Sequence, residues 1–286
     1  EYRNKTLGFD ANLLIYKLIY GIRVRGYDIK NNDTIVTHIH ALILKLLAFI
    51  KYNINAIFVF DNDAPQMKHH TLETRKDTKI NLANKHKNID NDNSKRIYYY
   101  AKSDISIDEL NDCKELIKIF GFNIVEAKME ADAQLVQLYN NNIIDYIITD
   151  DLDILLFGGN IIKNFSVDKT KKFQEIDLQK ILSETHITHD LLIQLGLLMG
   201  TDYTTNKTMS PTKAYKYVLE NNDILIDKQI NDAFTYIKNP PVHNIKNKYK
   251  TKKINKIKLN DFLQKRSFTD KYINKLHENI SIYKHI

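Results

Sequence analysis

Three apolar stretches far apart in this sequence each run straight into aspartate: TLGFD closes on Asp10, NAIFVFD closes on Asp61, and YIITDDLD crowds Asp150, Asp151 and Asp153 together. Short runs with no polar break are the pattern of strands buried on both faces, and such strands belong to parallel sheets covered by helices. In open sheets of that kind ligands bind beyond the carboxyl ends of the strands, so acids distant in sequence are expected on one edge. Carboxylates that close repel one another by about 1 kcal/mol per pair even in water, and by several times that near a protein surface. The edge therefore calls for positive charge. Read singly, Asp10 and Asp61 are equally well turn residues or helix N-caps, whereas the TDDLD cluster is harder to read as purely structural.

The rest of the first two thirds keeps the alternation of strand and helix. A helix is expected from about Ala11, then one capped by Asp33 with Ile35, Ile39, Ile43, Leu46 and Leu47 on its apolar face, then the strand Asn55–Asp61. The helix Ile107–Phe120 closes at Gly121, the strand Phe122–Val125 comes after it, Met129–Asn140 is helical, and Tyr146–Thr149 and Ile161–Phe165 are strands. The order argues for an α/β fold with a mostly parallel sheet flanked by helices. The stretch from Arg75 to Asp104 shows little hydrophobic periodicity and reads as a mobile basic excursion carrying Tyr98, Tyr99 and Tyr100. All eight glycines lie at or before Gly200, and the last third of the chain is lysine-rich and helical in pattern, so a boundary is expected near residue 203.

Composition narrows the partners. The net charge of +7 favours a polyanion, and Lys246, Lys248, Lys250, Lys252, Lys253, Lys256 and Lys258 succeed one another with no acid between them, as a solvated loop or a phosphate-tracking surface. The single cysteine, Cys113, excludes an intrachain disulfide framework and a cysteine-rich zinc site, and fits a reducing compartment. No run of 18 or more apolar residues and no secretory leader is readable, so no membrane partner is expected.

Five stretches, FDAN (9–12), VFDNDAPQMK (59–68), MEADAQ (129–134), TDDLDILLFG (149–158) and LLMGTDY (197–203), stand in an order and spacing that resemble the flap endonuclease family of structure-specific 5′ nucleases, whose relatives act in DNA replication and repair. The stretch FLQKRSFTDKYINKLHENI (262–280) is similar to the family's last helices. The resemblance implies a PIN-like α/β nuclease core over 1–202 with a gateway and cap inserted near 66–105, a helical arch, and a helix-two-turn-helix-like duplex-binding region over 203–286. It also implies two divalent ions, with Asp10, Asp61, Glu130 and Asp132 around the first and Asp151, Asp153 and Asp202 around the second. All-oxygen donors of this kind suit hard Mg²⁺, with Mn²⁺ able to substitute. The same resemblance nominates Lys68 and Arg75 to face the scissile phosphate, Tyr16 to stack on a base, and Arg23, Lys95 and Arg96 to contact the nucleic-acid backbone. The arch is expected to be poorly ordered without DNA.

Three departures qualify it. Asp132 stands where the family has glutamate. Residues 203–218 hold no glycine where the family's turns are glycine-rich and bind a monovalent cation, K⁺, through carbonyls; Thr208, Ser210, Thr212 and Lys213 remain there as phosphate contacts or as a plain helix junction. Asp10 comes after only nine residues, where the family has a longer glycine-led segment, so a preceding piece is expected. The expected activity is a monomeric, Mg²⁺-dependent 5′ flap endonuclease acting on DNA with a 5′ flap, nick or junction, at an intracellular site of replication, nuclear or cytoplasmic. A 5′→3′ exonuclease or junction nuclease of the same superfamily, and an inactive nucleic-acid-binding scaffold, are the alternatives; RNA stays open as a second substrate, and no clamp-binding motif is seen.

Overall fold

The computed structural model describes residues 2–89, 91–166, 172–205, 208–220 and 227–283. Strand β1 (Thr6–Asp10) enters helix α1 (Ala11–Arg23), and a hairpin of β2 (Lys30–Asn31) and β3 (Thr34–Ile35) leads to α2 (Thr37–Lys51) and β4 (Asn55–Phe60). A 3-10 turn at Gln66–Lys68 opens α3 (His69–His86), followed by α4 (Asp92–Ala101), α5 (Ile107–Ile119), β5 (Asn123–Glu126), α6 (Ala131–Asn140) and β6 (Tyr146–Ile148). Next come the short α7 (Asp153–Leu156), β7 (Ile161–Lys163) and β8 (Gln174–Ile176). The remaining elements are helical: α8 (Leu178–Thr185), α9 (His189–Met199), α10 (Pro211–Glu220), α11 (Lys228–Lys238), α12 (Lys256–Gln264) and α13 (Asp270–Tyr283).

Six strands form a mostly parallel sheet, in which β5, β4 and β1 are consecutive neighbours, as are β6, β7 and β8. β6 and β7 run parallel, whereas β8 returns antiparallel along β7. The sequence expectation missed β8 because QEI carries one apolar residue and stays largely exposed, as an edge strand can. It also missed α7, which is only four residues long.

Local chemistry explains most boundaries. Asp10 caps α1 by accepting the Leu13 N–H at 3.0 Å, and Ser106 with Glu109 forms a reciprocal capping box on α5. Gly121 comes just after α5 at φ 87°, and a Cβ there would lie 2.1 Å from the Lys252 carbonyl oxygen. That close approach fastens the lysine-rich segment: the Lys252 N–H donates to Gly121 O at 2.8 Å and the Asn255 N–H to Ile119 O at 2.9 Å. Asp33 does not cap α2. Residues 30–35 pair as a hairpin instead, and α2 starts at Thr37, whose hydroxyl donates to Asp28 at 2.7 Å and accepts the Ile29 N–H at 2.9 Å. The basic excursion is built from α3 and α4 and is not an irregular loop; α3 buries none of its residues, so no apolar stripe marked it in the sequence.

The chain divides into two compact units, residues 1–58, 76–125 and 248–286 in one and 59–75 and 126–247 in the other. In the first, Phe9, Phe49, Phe58 and Phe122 form an aromatic cluster with centroid separations of 5.0–6.3 Å. In the second, Leu156, Ile193, Leu197, Tyr203, Ala214, Val218, Ile230 and Ile237 are buried together among α7, α9, α10 and α11. No helix among the described residues is long and apolar enough to cross a membrane.

The first unit also holds a chain of ion pairs. Arg266 grips Asp112 and lies 3.9 Å from Glu115, while His38 Nε2 meets Asp112 at 3.1 Å. Although burial alone would raise it, hydrogen bonds from His38 and Arg266 bring the Asp112 carboxyl down to about 2. A group depressed in the fold contributes stability at neutral pH that is lost as pH falls from about 4 toward 2. Since both side chains are about a fifth exposed (19% and 23%), Asp112→Asn is expected to cost about 1–2 kcal/mol at pH 7. Urea unfolding checks this, with the difference from the parent shrinking below pH 4; an equal deficit at every pH would contradict it.

Candidate functional site

Six of the seven acids and both nominated cations lie in the second compact unit. The turn after β4 presents Asp61, whose Oδ1 accepts the Ala131 N–H at 2.8 Å. That bond satisfies the first amide of α6, so Glu130, which sits at the N-cap with extended backbone, makes no capping bond of its own. Its buried carboxylate turns to other partners. The Tyr203 hydroxyl donates to Glu130 Oε2 at 3.0 Å, the Tyr236 hydroxyl donates to the same oxygen at 2.8 Å, and the Lys68 ammonium pairs with Oε1.

Lys68 also lies over the Tyr203 ring, 4.2 Å from its centroid. Burial alone would depress this ammonium, but Glu130, Asp132 and Asp153 outweigh burial and hold it above the ordinary lysine range. Arg75 plays the equivalent part for Asp202: its guanidinium makes two parallel bonds, 2.8 Å to Oδ2 and 2.6 Å to Oδ1. Gly200, at φ 103°, ends α9 and turns the chain toward Asp202 and Tyr203; a Cβ there would meet the Thr208 methyl at 2.4 Å.

The TDDLD cluster divides its labour. Asp150 accepts the Asn164 N–H at 2.6 Å in the loop after β7. Asp151 accepts the Asp153 N–H at 2.9 Å and shapes the start of α7. Asp153, the first residue of α7, is pushed up to about 6, first by burial and then by Asp151, with Lys68 partly offsetting and Asp202 and Glu130 adding to the rise. Burial likewise raises the Asp61 carboxyl, helped by Glu130 and opposed by the Ala131 amide and Lys68. Both phenols are driven well above the usual tyrosine range, first by burial and then by the Glu130 charge. They stay hydroxyl donors at neutral pH.

Among the described residues, no set of three or more His, Cys, Asp or Glu side chains is arranged to hold a metal ion. The donors are nonetheless of the right kind: they are oxygen-only and repel one another, and ammonium and guanidinium groups stand against Glu130 and Asp202 as the positive charge. This chemistry fits hard divalent cations, with Lys68 and Arg75 as the present counter-charges.

The other nominated residues sort unevenly. Asp10 lies in the first unit, where it caps α1. Tyr16 stacks on Tyr20 at 6.0 Å and has the Lys79 ammonium 5.0 Å over its ring. Arg23 is not a surface contact: it is buried and bound to Asp28 at 2.8 Å, Glu109 at 2.9 Å and the Lys102 carbonyl at 3.0 Å. A guanidinium so fully satisfied acts as a clasp between α1 and the end of α4. Lys95 and Arg96 are exposed on α4, and Thr208, Ser210, Thr212 and Lys213 are exposed around the start of α10; residues 206 and 207 of that segment lie outside the described ones. Sequence reasoning misses Tyr203 and Tyr236. Tyr203 closes the LLMGTDY stretch, and nothing around it or around Tyr236 marks a hydroxyl partner in the sequence.

An XPG N-terminal domain model matches residues 1–81 and an XPG I-region model matches residues 121–202. Flap endonuclease 1 of Theileria parva is 27% identical over 298 residues, covering 98% of this chain and 60% of its own length. Flap endonuclease 1 of Nanoarchaeum equitans is 28% identical over 215 residues, covering 70% of this chain and 63% of its own length. The chain thus spans about 60% of these relatives. Among solved structures, flap endonuclease-1 from Methanococcus jannaschii superposes with a TM-score of 0.76 at 22% identity, covering 99% of this chain and 94% of its own. The catalytic core of Rad2 in complex with DNA substrate gives 0.72 at 22% identity, covering 97% and 93%.

Raised carboxyls make a stability statement. Because the Asp153 pKa is raised in the fold, stability is lost as pH climbs from about 4 through about 6. In metal-free buffer, Asp153→Asn is expected to gain about 1–2 kcal/mol at pH 7.5, roughly 2–6 °C in melting temperature, and nothing at pH 4. A lower melting temperature at pH 7.5 would show that the ionised carboxylate is needed for the fold.

Proposed function

Because the chain belongs to the flap endonuclease family, we propose that it is a structure-specific 5′ nuclease hydrolysing DNA phosphodiesters at a flap, nick or junction. The observation that carries this reading is the gathering of Asp61, Glu130, Asp132, Asp151, Asp153 and Asp202 around Lys68 and Arg75. Asp10, in the first unit, is nominated by the resemblance of the FDAN stretch to the family.

These carboxylates would hold two divalent ions, Mg²⁺ or Mn²⁺, which when bound would supply an activated water and charge stabilisation for phosphodiester hydrolysis. The chain's own residues do the rest. A scissile phosphate brings negative charge that competes with Glu130 and Asp202 for Lys68 and Arg75. The Arg75 fork, which already makes a two-bond contact with a carboxylate, suits a phosphate equally well. Once transferred, these two cations offset the charge that develops on the phosphate in the transition state.

The remaining parts hold substrate. Tyr16 offers a ring to the base beside the cut, a contact worth about 1–3 kcal/mol. Lys95 and Arg96 on α4 track the single strand, and Thr208, Ser210, Thr212 and Lys213 around the start of α10 take duplex phosphates. Functionally, 1–202 is the nuclease core with its inserted arch, and 203–286 is the duplex-binding region.

The test is cleavage of a 5′-labelled double-flap DNA by the full-length protein, beside nicked, Holliday-junction and single-stranded controls, in Mg²⁺ and in EDTA. Mg²⁺-dependent release of the intact flap is expected, with Asp151→Ala inactive and Arg75→Ala slowed by about 10²–10³-fold. Release of mononucleotides would favour the exonuclease reading, and tight binding with no cut strand would leave only a scaffold. Without DNA, millimolar Mg²⁺ is expected to raise the melting temperature, because a cation that binds only the folded state stabilises it.

A further inference from the structure

Glu130 is the most heavily engaged carboxylate in the second unit, and its two oxygens are treated differently. Both phenol hydroxyls converge on Oε2, at 3.0 Å from Tyr203 and 2.8 Å from Tyr236, while Oε1 faces Lys68. A carboxylate oxygen accepts about two hydrogen bonds along its lone pairs, so Oε2 is fully committed to protein donors. Oε1 is the oxygen left to meet a positive charge.

Burial explains only one of these donors. Tyr203 is completely buried in the apolar cluster of α7, α9, α10 and α11, and a buried hydroxyl must find some partner. Tyr236 on α11 is only half buried, yet its hydroxyl reaches in to Glu130. The two rings lie 5.8 Å apart and approach the carboxylate from different elements, the loop after α9 and the body of α11. Tyr203 serves a second purpose, since its ring face supports the Lys68 ammonium at 4.2 Å.

We propose that Tyr203 and Tyr236 are positioning residues that aim Glu130, locking Oε2 so that Oε1 alone is presented to a divalent cation when Lys68 gives way. The proposal rests on the two-ion reading of the proposed function. Groups that orient a metal-binding side chain change metal affinity by about 10–100-fold when removed, although they never touch the ion. The Tyr203 ring gives the displaced Lys68 a place to rest beside the site, so the ammonium stays at hand for a phosphate.

The experiment is isothermal titration calorimetry of Mn²⁺ into the full-length protein without DNA, for the parent, Tyr236→Phe, Tyr203→Phe and Glu130→Gln, with metal-free melting temperatures for each. Tyr236→Phe is expected to bind Mn²⁺ about tenfold more weakly with an unchanged metal-free melting temperature. In cleavage assays its half-saturating Mn²⁺ concentration rises while the rate at saturating Mn²⁺ recovers. Tyr203→Phe, which keeps the ring beneath Lys68, is expected to match it and serves if the first variant is poorly folded. Parent-like Mn²⁺ affinity in both phenylalanine variants, with a site lost in Glu130→Gln, would overturn the proposal and leave the phenols as packing. Parent-like affinity in Glu130→Gln as well would instead overturn the two-ion reading, and the proposal with it.

Discussion

Mutual repulsion among carboxylates that the fold refuses to separate governs the second compact unit. Burial and neighbouring acids raise both Asp61 and Asp153, which means that the folded chain works against its own charge at neutral pH. Two cations make the arrangement tolerable. Lys68 is held against Glu130 more tightly than water would hold an ammonium, and Arg75 closes on Asp202 with both arms of its fork. A site built this way leaves its acids only partly compensated, with Lys68 and Arg75 as the positive charge present.

The surrounding elements read as means of holding that charge in place. Asp61 takes over the capping of α6, which releases Glu130 from the helix terminus where its sequence position would otherwise engage it. Gly200 lets the chain leave α9 in a backbone conformation closed to other residues, so that Asp202 and Tyr203 come at once after it. The apolar cluster of α7, α9, α10 and α11 fixes Tyr203 from behind. A strained acidic site on a well-packed support is the expected trade between function and stability.

In the first unit charge does the opposite work. Arg23 uses each of its three nitrogens, on Asp28, Glu109 and the Lys102 carbonyl, and Arg266 with His38 holds Asp112. These groups tie α1, α2, α5 and the end of α4 to one another, although His38 Nδ1 is buried with no hydrogen-bond partner. The same residue type, arginine, is therefore a buried clasp at position 23 and an exposed counter-charge at position 75. Exposure separates the two roles: the Arg23 side chain is 6% exposed and that of Arg75 61%.

The sequence by itself determined the strands that end in acid and the helices with an apolar stripe, because buried strands and amphipathic helices write their burial into local residue patterns; the set of seven carboxylates came from the resemblance of its motifs to the family. It left α3 and β8 unmarked, since neither buries a continuous face, and it misplaced the start of α2, since the β2–β3 hairpin claims residues 30–35 through pairing that no local propensity announces. Arg23 was nominated through the resemblance as a nucleic-acid contact, and only the fold shows it buried among acids from later in the chain as a clasp. Tertiary structure alone decided which cation faces which acid and which hydroxyls hold Glu130. Tyr236 lies 106 residues from its acceptor, and hydrogen bonds over such separations depend on how α6, α9 and α11 pack, which side-chain identity along the chain does not record.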